Sequence, residues 1–291
     1  MATELATKYL PYVDEIFTQE SKKSILTNND FNFDGAKTVK LYKVNTAEMN
    51  DYGRTGATGS NWSRYGAVAN LEGTCETATL TKDRSFTFVI DALDENQTSG
   101  ALSGATALAR QIREVVIPEV DSYVYAVMTS FAGHKPEAVE LTKDNIYDEI
   151  VKASAALDDD LVPETDRALT VTPATYLLMK KCKDIVMETE IGEEMRIKGV
   201  IANLDGAMTI KIAASRLPRN FGFMLSHKSA CCAPTQLEDY NEHKNPPGIN
   251  GTLVEGRIVY DAYVFENKRK GIYYQELPAA EEKSGIDQGT H

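Results

Sequence analysis

The stretch from Asn45 to Arg84 constrains this chain more than any other. It is polar, dotted with Gly53, Gly56, Gly59 and Gly66, and contains no proline. On one side lies a strand candidate, Val39, Leu41 and Tyr42-Lys43-Val44; on the other is Ser85–Asp91. The second alternates apolar Phe86, Phe88 and Ile90 with Ser85, Thr87 and Asp91, and is read as the match of the first. Connections inside compact domains are normally a few residues long, so an insert of this size needs a reason. A lid, a disordered insert or a two-stranded ribbon would each supply one. Alternating Thr77, Thr79 and Thr81 on the return side favour the ribbon. A two-stranded ribbon has little core of its own and is expected to find partners elsewhere.

Directly after it comes the strongest helical signal. Leu102, Ala105, Ala109, Ile112, Val116, Val120, Tyr123 and Val127 recur at steps of three and four. Pro118 predicts a kink or break within this run. If continuous, residues 101–131 would span on the order of 45 Å. A long helix beside a long ribbon is an unusual plan for a compact enzyme.

The second half reads as a more regular α/β body. Thr142 is placed to cap a helix with the stripe Ile146, Ile150, Ala153 and Leu157, which Asp158-Asp159-Asp160 should end as a solvated terminus. Residues 167–172 predict a strand, and Pro173 opens a helix expected to run to Val186. Asp205-Gly206 marks a hairpin between 200–202 and 208–212. Further strands are expected at 221–225 and 256–265, with Lys268–Gly271 turning into Ile272-Tyr273-Tyr274. The segment before the ribbon, 28–35, alternates polar residues with Phe31 and Phe33. It reads as an extended arm that must lie against its own subunit or a neighbour.

Composition narrows the function. The net charge is −12, with 43 acidic against 31 basic residues, and the densest basic run is only Lys268-Arg269-Lys270. Tight general binding of nucleic acid needs concentrated positive charge, so it is disfavoured; a container for nucleic acid is not. No apolar run reaches the length of a membrane span, and the first residues do not read as a signal peptide, so a cytoplasmic protein is expected. Four cysteines without metal spacing are expected to be reduced and structural.

No catalytic signature is present: no GxSxG, Walker A, HExxH or strand-linked GxGxxG. The glycines at 53, 56 and 59 read better as a ribbon tip than as a phosphate cradle. His134, His227, His243 and His291 have no ligand spacing, and the glutamates at 188–194 read as an acidic surface. Neither a cofactor nor a metal is expected, and the chain is not read as an enzyme. Trp62, the one tryptophan, lies near the ribbon tip between Arg54 and Arg64. It either packs within the loop or anchors in a neighbouring subunit, the arginines being solvated or paired there. Arg54, Trp62, Arg64, Phe31 and Phe33 are therefore the candidate inter-subunit contacts.

In this order the segments resemble the HK97-type major capsid proteins of tailed phages, particularly those of Gram-positive hosts. The likeness is carried by residues 13–17, 31–40, Met49-Asn50-Asp51-Tyr52, 83–88, 110–121, the Asp205-Gly206 hairpin, and 260–265 through Gly271-Ile272-Tyr273. It implies an α+β HK97-like fold. In that fold 1–36 is the N-arm, 37–92 the extended β-hairpin E-loop with flanking strands, and 93–133 the peripheral domain with its long spine helix. The α/β axial domain follows at 134–250, return strands of the peripheral domain at 251–280, and a tail at 281–291. It further implies self-assembly as pentamers and hexamers into an icosahedral virion capsid around double-stranded DNA, put together in the host cytoplasm without a membrane. A portal and a head-maturation protease are implied partners. No long charged helical segment precedes the arm, so either a separate scaffolding protein is implied or such a segment was removed before this sequence begins. Some relatives cross-link through an E-loop lysine, but this chain has no lysine between Val44 and Thr81. An encapsulin-like nanocompartment shell is the nearest alternative, and an α/β enzyme with residues 45–84 as a lid a remote one.

Overall fold

A computed structural model describes residues 20–28, 38–44, 46–56, 63–68, 70, 73–97, 103–182 and 200–279. The chain divides into two compact units, residues 33–80 and the remainder.

The smaller unit is the ribbon. Strand β1 (Thr38–Val44) pairs antiparallel with β2 (Gly73–Thr79) from Thr38↔Thr79 to Val44↔Gly73. The partner of 38–44 is thus 73–79 and not Ser85–Asp91. Antiparallel neighbours in sequence close on each other at the lowest entropy of ordering, and the threonines of β2 supply the β-branched face.

The Phe-rich strand, β3 (Lys82–Asp91), pairs instead with β10 (Gly251–Tyr260), which pairs on its other side with β9 (Thr235–Lys244). Along β10, Val254, Ile258 and Tyr260 are buried while Glu255 and Arg257 are exposed, the period-two pattern of a half-buried sheet. Gly256 lies where a Cβ would stand 2.3 Å from the Phe86 ring, so two aromatic side chains, Phe86 and Tyr240, close over a bare backbone. The strand expected at 256–265 starts earlier and ends at Tyr260. There Asp261 turns its carboxylate onto the Ala262 amide and interrupts the ladder, and the short β11 (Tyr263–Val264) pairs with β8 (Cys231–Cys232).

A five-stranded sheet forms the centre, in the order β12 (Ile272–Glu276), β7 (Phe221–His227), β4 (Arg167–Val171), β6 (Ala207–Lys211), β5 (Val200–Leu204). Every residue of β4 is buried, as expected of a strand covered on both faces. One face, with Ala168, Ile210, Met224, Ile272 and Tyr274, packs on the long helix. The other, with Leu169, Val171, Phe223, Leu225 and Tyr273, packs on α5 (Ile146–Asp159) and α6 (Pro173–Lys181). Asp205 and Gly206 both have positive φ in the β5–β6 turn, the two-residue hairpin their sequence predicts.

Where a kink or break is expected, the long helix continues through a widened turn. Short helices α1 (Lys23–Leu26) and α2 (Ala92–Gln97) precede it. It then comprises α3 (Gly104–Gln111), a π-helical turn at Ile112–Val116 and α4 (Ile117–Ser130). Ser103 caps its start, accepting from the Thr106 amide. Pro118 cannot donate to the carbonyl four residues back and its ring would crowd that carbonyl. The turn in front of it widens instead, with the Ile117 amide reaching the Ile112 carbonyl five residues back. Val116, Val120, Val124 and Met128 form its buried stripe.

Two smaller expectations change. At the start of α5 the N-cap is Asn145 and not Thr142; the Asn145 side chain turns back to accept from the Thr142 amide at 2.7 Å. The three aspartates do end α5, with Asp158 and Asp159 exposed as expected, but the terminus is also paired. Asp158 pairs with Arg167 at 2.7 Å, and Asp160 meets both His134 at 2.7 Å and Lys270 at 2.8 Å. Arg167 and Lys270 thus place positive charge beside the acids at the negative end of the helix dipole.

Candidate functional site: the ribbon and its anchors

Within the ribbon unit, the loop beyond the strands is held by a few local contacts. The Gly53 amide donates to the Arg64 carbonyl at 2.9 Å and the Tyr65 amide to Ser63 Oγ at 3.1 Å. The Tyr52 and Tyr65 rings meet edge to face, 5.1 Å between centroids. Gly66, at φ +90°, lets Asn50 approach to 2.6 Å from where a Cβ would be. The two halves of the loop are therefore registered on each other, and Arg54 and Arg64, both exposed, end up on one loop. Trp62, Phe31 and Phe33 lie outside the described residues.

The loop's apolar surface was not apparent from its sequence. Met49 is wholly exposed, Tyr65 78%, Tyr42 74% and Val68 69%. Reading for tryptophan and arginine missed these side chains. The signal that could have found them was the recurrence of Tyr42, Tyr52 and Tyr65 through a segment without a core. A two-stranded ribbon has little core in which to bury such groups and is expected to find partners elsewhere.

In the larger unit, the residues flanking the ribbon in sequence are fixed to one patch. On the entry side, Asn28 bridges Cys232 and donates its amide to the Cys231 carbonyl at 3.0 Å. On the exit side, the Thr81 amide and hydroxyl both donate to Asp261 Oδ2 at 2.8 Å. Asp261 also accepts from Tyr123 and Tyr263 at 2.7 and 3.1 Å. Cys232 pairs with Tyr263 across β8 and β11, so entry and exit share a base. Burial first, and the Asp261 carboxylate with it, hold the Tyr123 and Tyr263 phenols above their usual range, keeping both as donors.

Ahead of Asn28 the chain is tied to the long helix through half-buried Ser21 and the buried pair Asp121 and Arg216. Ser21 donates to Asp121 Oδ1 at 2.6 Å and Arg216 to Asp121 Oδ2 at 2.9 Å, with Asp121 1% and Arg216 6% exposed. Burial pushes the Asp121 carboxyl up, and outweighs the opposing pull of Ser21 and Arg216. Among the described residues no cluster of His, Cys, Asp and Glu is placed to hold a metal ion, and no helix is long and apolar enough to cross a membrane.

A ribbon folding as its own unit, a long helix on one face of a sandwiched sheet and two helices on the other define an α+β, HK97-like capsid fold. Solved structures share it along nearly their whole length. The chain matches one from Mycobacterium phage Che8 with a TM-score of 0.71 at 17% identity, covering 94% of this chain and 98% of that one. It matches the capsid of cyanophage P-SCSP1u with a TM-score of 0.73 at 11% identity, covering 95% and 94%. A virus-like particle from Pyrococcus furiosus matches with a TM-score of 0.54 at 12% identity, covering 88% and 92%. No protein-family model and no curated protein sequence matches the chain.

Proposed function

We propose that this chain is the major capsid protein of a tailed phage, assembling as pentamers and hexamers into an icosahedral shell around double-stranded DNA. The observation that carries the reading is the agreement with the capsid structure of cyanophage P-SCSP1u over 95% of this chain and 94% of that one. The role is structural, not enzymatic. Residues 1–36 serve as the N-arm, 37–92 as the E-loop with its flanking strands, 93–133 as the spine-bearing peripheral domain and 134–250 as the axial domain. Residues 251–280 return to the peripheral domain, and 281–291 are a tail. The exposed Tyr42, Met49, Tyr65 and Val68, with Arg54, Trp62 and Arg64, form the surface the ribbon lays on a neighbouring subunit; Phe31 and Phe33 of the arm reach a neighbour as well. A scaffolding protein, a portal and a maturation protease act with it during assembly in the host cytoplasm.

Expression alone and with a scaffolding protein from the same gene neighbourhood, followed by electron microscopy, tests the proposal. Closed shells or capsomer rings support it. A uniformly small species under both conditions overturns it, and shells that co-purify with a protein cargo and never take up DNA transfer it to the nanocompartment class.

A further inference from the structure

The π turn of the long helix opens a groove. In an α-helix, residues five apart stand about 140° round the axis, on different faces. The wider turn bonds the Ile117 amide to the Ile112 carbonyl and brings these two side chains toward one side. With Val116 and Val120 they line a groove of about 370 Å³, whose opposite wall includes Tyr240 and Ile258 of the three-stranded sheet. The polar lining gathers at one end, where Ser21 donates to Asp121 and Thr235 stands opposite Tyr260, whose ring meets Tyr123. The rest is aliphatic and aromatic, and Ile112 and Ile117 are only half-buried.

Chain continuity points to what covers it. Ser21 is itself part of the rim, so the residues that precede it, outside those described, begin at the polar end of the groove. From Asp121 back to Ile112 the helix axis runs on the order of 13 Å. The chain from Ser21 back to Phe17 reaches at most ~14 Å, which brings Phe17 and Ile16 over the apolar part. Val13, Ile16 and Phe17 are spaced i, i+3, i+4, the stripe that an amphipathic helix lays into an apolar groove. A cavity of ~150 Å³ already accepts a benzene ring, so the groove has room for the Phe17 ring with an aliphatic side chain beside it. Asp14 and Glu15 fall off the stripe, and exposed Arg113 stands next to Ile112 to meet them. A short tether to the rim gives the segment a high effective concentration there.

We propose that Val13, Ile16 and Phe17 seat in this groove on the long helix of their own subunit and cover the π turn. The seat goes beyond shell formation and does not depend on it, because both surfaces belong to one chain. Hydrogen exchange on the dilute, unassembled full-length chain tests it, with Ile16→Asp, Phe17→Asp and, off the stripe, Thr18→Asp. Amides of 112–117 should exchange at least about tenfold faster in the first two variants, the equivalent of ~1.4 kcal/mol. Thr18→Asp should match the parent, and the amides of β4 should stay protected in all. Reciprocally, Ile112→Asp should speed exchange across 13–19.

Unchanged exchange at 112–117 in both stripe variants, or equal acceleration by Thr18→Asp, overturns the seat and leaves the capsid reading standing. Protection of 112–117 that appears only as concentration rises assigns the groove to another copy's segment and overturns it too. A parent that never forms shells but shows the tenfold loss supports the seat and removes the capsid reading.

Discussion

Single residues here are set by their surroundings more than by their type. Burial pushes the Cys231 thiol up to about 12, and Cys182 and Cys232 are also buried, while Cys75 is exposed. A thiol reagent at neutral pH should therefore label one cysteine per folded, unassembled chain and all four after denaturation, counted by mass spectrometry. Two carboxylates respond to acid in opposite senses. Lys270, and then His134, hold Asp160 below its ordinary value of 3.8. Its contribution to stability is present above that value and lost as pH falls through the lower folded one. Asp121, raised by burial, contributes below 3.8 and loses that contribution as pH rises through its folded value. Asp160→Asn should accordingly flatten the loss of thermal stability below about pH 4, read from melting curves between pH 6 and pH 3. Neither environment was legible in the sequence, because the partners of Asp160 lie 26 and 110 residues away.

Among the elements, the ribbon's exit depends on one buried side chain. Asp261 gathers the Thr81 amide and hydroxyl, two phenols and its neighbour's amide. Asp261→Ala would remove their shared acceptor; exposed Thr81 and the half-buried phenols can turn to water, but the buried Ala262 amide is orphaned, and a buried unsatisfied donor costs roughly 1–3 kcal/mol. Destabilisation of about 1–3 kcal/mol is expected, with faster hydrogen exchange at the Thr81 amide. Amides at the centre of α4 that keep their protection would localise the effect; uniform acceleration would count against a local anchor. Element types were largely readable: the stripe from Ala105 to Val127, the Asp205-Gly206 turn and Pro173 at a helix start all appear where their chemistry places them. Strand β9 was not, because Asp239, Asn241, Glu242, His243 and Lys244 are all exposed and show no apolar alternation. Pro118 was read correctly as a disturbance but not as a π turn. Whether the ladder breaks or widens depends on what the helix packs against, here the apolar cluster around Val116 and Val120.

At the scale of the whole molecule, the proposed assembly must work against a formal charge of −12 on every copy. Raising ionic strength from 0.01 to 0.15 M shortens the screening length from about 30 to about 8 Å. Light scattering should therefore show faster assembly with added salt; an opposite response would mean that attraction between unlike charges dominates the contacts. Assembled particles boiled in denaturant should run as single chains, since no lysine lies between Val44 and Thr81 to form an isopeptide bond. A ladder of covalent oligomers would contradict this. The sequence by itself determined the order of segments, the uncommon pairing of a long insert with a long helix, and the absence of a catalytic signature. These are consequences of local periodicity and composition. Only the tertiary structure decided which strand closes on which, that Asn28 and Thr81 share one base, and that Ser21 and the π turn line one groove. Strand pairing and burial are set by contacts between residues far apart in sequence, and no local pattern encodes which of several compatible partners will meet.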